Sequence, residues 1–282
     1  MVIFVGFVIF ACMKSIKQVF DFYLNGSIHV AFAVLSLVLM TNHMFQNAFD
    51  LSMAGFAFFG TIFGYNFIKY EAFFRNKKPL WIELKAIAVL SILSLLASAY
   101  FFFCLENSTQ VTAVIFFGLT FLYTVPVFSK KRNIRNWSGI KIYIVAICWS
   151  GVTTLLPLMN AGTAVFSDVI LKCCQRFLLV IILILIFEII DLRTDAPSLG
   201  TVPQEIGVKK TKMLGILLLL PLYFLEFLKT SIDANQFFIN AILAIVTALF
   251  MVFANERRSK YYTSFWVESI PIFWLFLLWI FG

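Results

Sequence analysis

Residues 169–190 read Val169-Ile-Leu-Lys172-Cys-Cys-Gln-Arg176-Phe-Leu-Leu-Val180-Ile-Ile-Leu-Ile-Leu-Ile-Phe187-Glu188-Ile-Ile190. They run straight into Asp191-Leu-Arg193-Thr-Asp195-Ala-Pro197-Ser-Leu-Gly200-Thr201-Val-Pro203-Gln-Glu205-Ile-Gly207. The first stretch is apolar for the length a helix needs to cross a bilayer, about 20 residues. It lacks the in-and-out alternation of a barrel strand. Eight similar runs accompany it, at about 27–44, 51–71, 84–104, 110–127, 139–159, 213–229, 236–254 and 265–281. The chain of 282 residues is 62% hydrophobic and 13% charged, about half the charge of an average soluble domain. These features exclude a water-soluble globule and predict an all-α, polytopic membrane bundle of about nine transmembrane helices.

The organisation follows from the same runs. Val2 to Cys12 is too short to span and lacks a leading basic region or a small-residue cleavage site, so 1–26 reads as an N-terminal interfacial segment. Residues 27–282 read as a single transmembrane domain. The five cysteines show no CxxC pair and no companion histidine cluster, so they read as buried small side chains rather than a disulfide framework or zinc site. His29 and His43 each stand alone and read as packed or interfacial residues.

The formal charge of +8 is accounted for by topology rather than by nucleic acid. All but three of the 22 Lys and Arg fall before span one or in the loops after spans two, four, six and eight. Only Lys172, Arg176 and Lys229 fall on the other side. The positive-inside rule therefore places the N-terminus and these loops in the cytoplasm and the C-terminus outside, with the plasma membrane as the expected location.

Chemistry is expected in the longest polar connection, 191–212. Glu188, Asp191 and Asp195 are spaced three and four apart, so they share one face if the helix continues to Asp195. Clustered carboxylates suit a hard cation such as Mg²⁺ bridging a phosphorylated ligand, and Arg193 can contact the same anion. The alternative is an interfacial helix end whose acids pair with Arg193 and Lys209–Lys212. Two more polar clusters reach the same side. Gly60-Thr-Ile-Phe-Gly64-Tyr65-Asn66-Phe67-Ile68-Lys69-Tyr70 ends span two, with a small-xxx-small pair and Asn66, Lys69 and Tyr70 on one face. Tyr123-Thr-Val-Pro126 and Lys130-Lys131-Arg132 follow span four, with Lys141 and Trp149 beyond. Each of these also reads as ordinary snorkelling, interhelical packing or attraction to anionic lipid.

Taken together, the span pattern, Asn66, Tyr123-x-x-Pro126 with its basic loop, and Asp191-Leu-Arg-Thr-Asp195 followed by Gly200-Thr201-Val-Pro203 resemble the UbiA superfamily of intramembrane prenyltransferases. The resemblance covers most of the chain. It implies transfer of a prenyl group from a polyprenyl diphosphate to a lipophilic acceptor, assisted by Mg²⁺. Asp191, Asp195 and Glu188 would hold the metal, with Asp191 and Asp195 as the catalytic pair. Asn66, Lys69, Tyr123, Lys131, Lys141 and Arg193 would position the diphosphate. The first acidic motif of the family departs here: Phe67, Tyr70 and Phe74 hold its acidic positions, and Lys69 is expected to supply positive charge in place of a second metal. A terpene cyclase or lyase on the same scaffold stays open, as does a non-catalytic isoprenoid or lipid carrier. A transporter ranks third, because no internal repeat or matched pair of broken spans is evident.

Overall fold

The computed structural model describes residues 16–75, 82–124, 139–164, 166–230 and 234–282, with backbone alone for 71–75, 122–124 and 198. Eleven helices are described: α1 (Ile16–Asn25), α2 (Ile28–Met44), α3 (Leu51–Arg75), α4 (Ile82–Phe103), α5 (Asn107–Thr124), α6 (Ile140–Asn160), α7 (Ser167–Asp191), the short α8 (Val202–Ile206), α9 (Val208–Leu228), α10 (Ala234–Phe253) and α11 (Tyr262–Phe281). Among the described residues seven helices are long and apolar enough to cross a membrane, and eight if α1 and α2 form one bent span. Helix α5 occupies the remaining expected position; its opening Asn107-Ser-Thr-Gln110 dilutes its apolar character.

Helix α7 is the axis of the bundle. Of its most apolar window 61% is buried inside the protein, against 17% for α4. Leu179, Ile182, Leu185, Ile186 and Ile189 pack against Leu37 and Met40 of α2, Leu219 of α9, Leu243 of α10 and Trp274 of α11. Helices α6, α9, α10 and α11 contact α7, and α2 closes the ring against α11 and α3. Helix α4 flanks α3, and α5 flanks α6. Helix α3 meets α6 at the last turn of α6, Leu156–Asn160.

Glycine permits the closest approaches. The face of Gly55 is covered by the Phe101 ring and that of Gly151 by Phe116. A Cβ on Gly60 would lie 3.2 Å from Ser98 Oγ, whereas one on Gly64 would meet nothing within 4 Å. The close approach expected at Gly60 and Gly64 is therefore made at Gly55 and Gly60, by α4. The cysteines also differ from expectation: Cys104 and Cys174 are exposed on the outer surface of the bundle, and Cys148 and Cys173 are only partly covered. A thiol is apolar enough to face lipid as readily as protein.

Helices α1 and α2 meet at a 56° bend. Gly26 and Ser27 make it, with Ser27 at φ 61°. Gly26 suits the site because a Cβ there would lie 2.9 Å from Phe22 O and 3.1 Å from Leu90 Cδ2.

The three cations that the charge count leaves on the opposite side are placed within or against the bundle. Lys172 and Arg176 are 0% exposed. Lys172 Nζ lies 3.5 Å from Glu226 Oε2, and Lys229 pairs with Glu226 Oε1. Gln175 and Asn240 also donate to Glu226 Oε2, at 2.8 and 3.1 Å. Arg176 donates to Thr41 Oγ1 at 3.3 Å, and its guanidinium sits 5.1 Å from the centre of the Trp274 ring. Ions at this depth are costly unless paired. Glu226→Gln is expected to lower stability by about 3–5 kcal/mol, because it strands the two lysines. The double replacement Lys172→Met/Glu226→Met should recover much of that loss, as read by thermal unfolding in detergent. Equal or greater loss in the double variant would contradict a net penalty from unpaired charge.

Candidate active site at the basic end

Helix alternation brings the C-terminal ends of α3, α5, α7 and α10 and the N-terminal ends of α6, α9 and α11 to one end of the bundle, which among the described residues carries Lys141, Arg193, Lys212 and Arg257. Helix α7 ends at Asp191. Pro197 and the positive-φ residue Gly200 turn the chain, and α8 begins on a Thr201 cap. Gln204 Oε1 accepts from Thr201 N at 3.0 Å, and Gln204 Nε2 donates back to Ala196 O at 3.2 Å. Gly207, at φ 81°, ends α8 and redirects the chain into α9.

Asp195 lies past the end of α7 but keeps its helical relation to Asp191: Asp195 N donates to Asp191 O at 2.9 Å. The stacking expected of an uninterrupted helix therefore survives in a single turn. Glu188 takes a different part from the one expected. It is 3% exposed. Its Oε2 accepts from Val202 N, the first amide of α8, at 3.0 Å, and its Oε1 lies 3.9 Å from Lys141 Nζ on α6. Both oxygens are thus engaged, and Glu188 ties the 191–207 loop and Lys141 to α7. Among the described residues no three His, Cys, Asp or Glu side chains are gathered as a metal cage, so the expected trio of Glu188, Asp191 and Asp195 is not assembled as such. Asp191 and Asp195 are within coulombic reach of each other, and Asp191 of Lys141. Neither carboxylate makes a hydrogen bond or ion pair among the described residues. Two partly exposed carboxylates with open coordination suit a hard cation that keeps waters or phosphate oxygens. Arg193 is exposed beside them.

The polar face of α3 serves the α1–α2 bend. Asn66, 2% exposed, donates to Gly26 O at 3.1 Å and Ser91 Oγ at 3.0 Å. Lys69 Nζ donates to Ser27 Oγ at 3.0 Å and lies 3.5 Å from Leu24 O. The Tyr70 hydroxyl donates to Asn25 O at 3.1 Å. The carbonyls of Asn25 and Gly26 lack a helical partner at the bend, whereas that of Leu24 already accepts from Ser27 N at 3.1 Å. Asn66 and Lys69, expected to hold diphosphate, are thus committed to the bend, and no hydrogen bond or ion pair joins them to Asp191 or Asp195. The side chain of Tyr123, in the last turn of α5, and all of Lys131 lie outside the described residues.

Other contributors had little signal in the sequence. Trp149 Nε1 donates to Tyr65 OH at 2.7 Å, bridging α6 and α3. Tyr65 lies one turn from Lys69, on the same face. Glu268, from the first turns of α11, lies within coulombic reach of Lys69. His29 is packed as expected, bonded through Nδ1 to Tyr23 OH at 2.8 Å and through Nε2 to Phe265 O at 3.0 Å and Ser269 Oγ at 3.1 Å.

No family model and no curated protein matches the sequence. Solved structures do. A UbiA homolog from Archaeoglobus fulgidus, bound to GPP and Mg²⁺, aligns over 92% of this chain and 98% of its own, with a TM-score of 0.61 and 12% identity. A structure from work on digeranylgeranylglyceryl phosphate synthase in membranes aligns over 94% and 96%, with a TM-score of 0.54 and 15% identity. The chain is an integral, multi-pass membrane protein of helical-bundle class. Its fold is the one that these solved structures share.

The capping role of Lys69 is open to measurement. In a cycle of Ser27→Ala, Lys69→Met and the double variant, the two losses in thermal stability should be non-additive, with a coupling of about 0.5–3 kcal/mol. Strict additivity would mean that Lys69 does not hold the bend.

Proposed function

We propose that the protein uses a prenyl diphosphate at the basic end of the bundle, transferring the prenyl group to a lipophilic acceptor within the membrane. The observation that carries this reading is the pair Asp191 and Asp195: two carboxylates with no protein partner among the described residues, stacked at the end of the central helix, on a fold shared with a UbiA homolog bound to GPP and Mg²⁺. Asp191 and Asp195 would hold Mg²⁺, which when bound neutralises diphosphate charge and makes it a better leaving group. Lys141, aimed by Glu188, and Arg193 donate to the diphosphate oxygens. Tyr123 and Lys131 are proposed to join them from the α5 side. Asn66 and Lys69 contribute by fixing the α1–α2 bend beside the site. Charge on the departing diphosphate is stabilised by preorganised donors, and the apolar, aromatic-rich bundle shields the prenyl cation from water. By the distribution of Lys and Arg the basic end is proposed to face the cytoplasm, and the plasma membrane is proposed as the location.

A second reading is supported by the α3 face. The donors that replace the first acidic motif are used structurally, which leaves one acidic pair for a metal. A carrier that holds an isoprenoid diphosphate without breaking it needs no more than that. A cyclase or lyase would need the same diphosphate site and no acceptor.

The test is thermal stabilisation of the purified protein by farnesyl or geranylgeranyl diphosphate, with and without Mg²⁺. Ligand at about 100 times its Kd should stabilise by about 2.7 kcal/mol. Stabilisation should require Mg²⁺ and be lost in Asp191→Asn/Asp195→Asn, whose ligand-free melting should not fall below wild type, because neither carboxylate is bonded to the protein among the described residues and their mutual repulsion is removed. Absence of any response in folded wild-type protein would reject the reading. Mg²⁺-dependent binding with no diphosphate released, alone or across a panel of acceptors, would select the carrier.

A further inference from the structure

The turn between α10 and α11 and the first turns of α9 enclose an open groove of about 330 Å³, lined by Lys212, Val252, Phe253, Ala254, Asn255, Arg257 and Arg258. Its cations are partly pre-positioned. Lys212 Nζ donates to Val252 O at 2.8 Å, and Arg258 Nε to Phe253 O at 3.3 Å, so both rest on the carbonyls that end α10. Arg258 also lies over the Tyr262 ring, 5.4 Å from its centre. The turn itself is held by Asn255, whose Oδ1 accepts from Arg257 N at 2.9 Å. Most of the N–H groups on the three cations are left over: Lys212 keeps two and Arg258 keeps four. The Arg257 side chain makes no hydrogen bond or ion pair among the described residues. No carboxylate lines the groove.

The groove lies where α9 begins and α10 ends, both helices long and apolar enough to span. Below it runs an exposed apolar strip on α10, Ile245, Leu249, Val252 and Phe253. A ligand that fits has a negatively charged head of phosphate size and an apolar tail that can lie along that strip. A soluble phosphate satisfies only the first condition.

We propose that this groove is a binding site for an anionic glycerophospholipid, its phosphate taken by Lys212, Arg257 and Arg258 and an acyl chain laid along α10. Guanidinium pairs suit phosphate oxygens in a bidentate way, and a headgroup here neutralises three cations that the protein itself leaves unpaired. The site is separate from the Asp191 loop and does not depend on the function proposed for it.

The test compares the protein in nanodiscs of phosphatidylcholine with discs that also contain phosphatidylglycerol, reading melting temperature and the number of lipids retained in native mass spectrometry. Phosphatidylglycerol should raise the melting temperature and be retained by wild type. Arg257→Gln/Arg258→Gln should retain it more weakly, by about fivefold per arginine, from roughly one kcal/mol for each. Lys209→Gln/Lys210→Gln removes two charges from the same end outside the groove and should bind as wild type does. Arg257→Gln alone carries the test if the double variant already melts low in phosphatidylcholine, because that side chain makes no structural bond. Equal loss in both pairs would show diffuse attraction to the membrane and overturn the site. Inorganic phosphate giving the same rise in phosphatidylcholine discs would overturn its assignment to lipid.

Discussion

Within a bilayer no water is at hand to satisfy a backbone N–H or C=O, so each break in a spanning helix must be mended by protein. The 56° bend between α1 and α2 frees the carbonyls of Asn25 and Gly26, which Tyr70 and Asn66 answer, while Lys69 donates to Ser27 Oγ in the bend itself. The π turn of α6, Gly151–Leu155, is handled in the same way: Thr41 of α2 donates to Thr153 O at 2.7 Å. At the basic end the exposed start of α8 is met by Glu188. The position of the candidate site follows from these repairs. The one at the α1–α2 bend fixes α3 beside it, and the one at α8 fixes both the acidic loop and Lys141.

That requirement also gives the polar face of Asn66-Phe67-Ile68-Lys69-Tyr70 a use within the fold. A carboxylate at position 69 or 70 has no proton to give a carbonyl, and an amide, an ammonium and a phenol do. Once α1 bends beside α3, donors are favoured there over acceptors. The two walls of the site then differ in kind: the α3 side is a set of committed donors, and the α7 side holds two uncommitted carboxylates.

The sequence made the spans legible, because continuous apolar runs of bilayer length have few alternatives, and it made the acidic loop legible because Asp191, Asp195, Gly200 and Pro203 lie close together along the chain. The bend at Gly26 and Ser27 was harder to read. Two small residues between apolar runs look like a span boundary as much as a break, and nothing local announces that residues some 40 positions away will supply its donors. For the same reason Asn66 and Lys69 read as ligand-binding groups, since a polar helix face has the same pattern whether it meets a ligand or a carbonyl. Spacing alone did not announce the contacts of Glu188: three carboxylates at helical intervals share a face, but Val202 and Lys141 engage the first. Lys172 and Arg176, read only as charges on the opposite side, sit inside the bundle because Glu226, two helices away in the chain, receives Lys172 and because Thr41 and the Trp274 ring receive Arg176.

The treatment of helix ends at the basic face bears on what Asp191 and Asp195 are for. The C-terminal end of a helix carries partial negative charge, which favours cations and disfavours carboxylates. The end of α1 is held by Lys69, and that of α10 by Lys212 and Arg258. The end of α7 carries Asp191 in its last turn and Asp195 just beyond, with Glu188 one turn before them. Lys141 offsets part of this charge, at 3.9 Å from Glu188. No described cation reaches the carboxylate of Asp191 or Asp195 within ion-pair distance. Such an arrangement costs stability as it stands, and a fold that caps its neighbouring helices with lysine and arginine has cheaper ways to finish one. The repulsion falls when a cation enters between the two carboxylates, so the strain at this helix end is itself a driving force for binding positive charge. On the function proposed above, Asp191 and Asp195 would hold such a cation, and Lys141 and Arg193 would be placed to meet the anion that came with it.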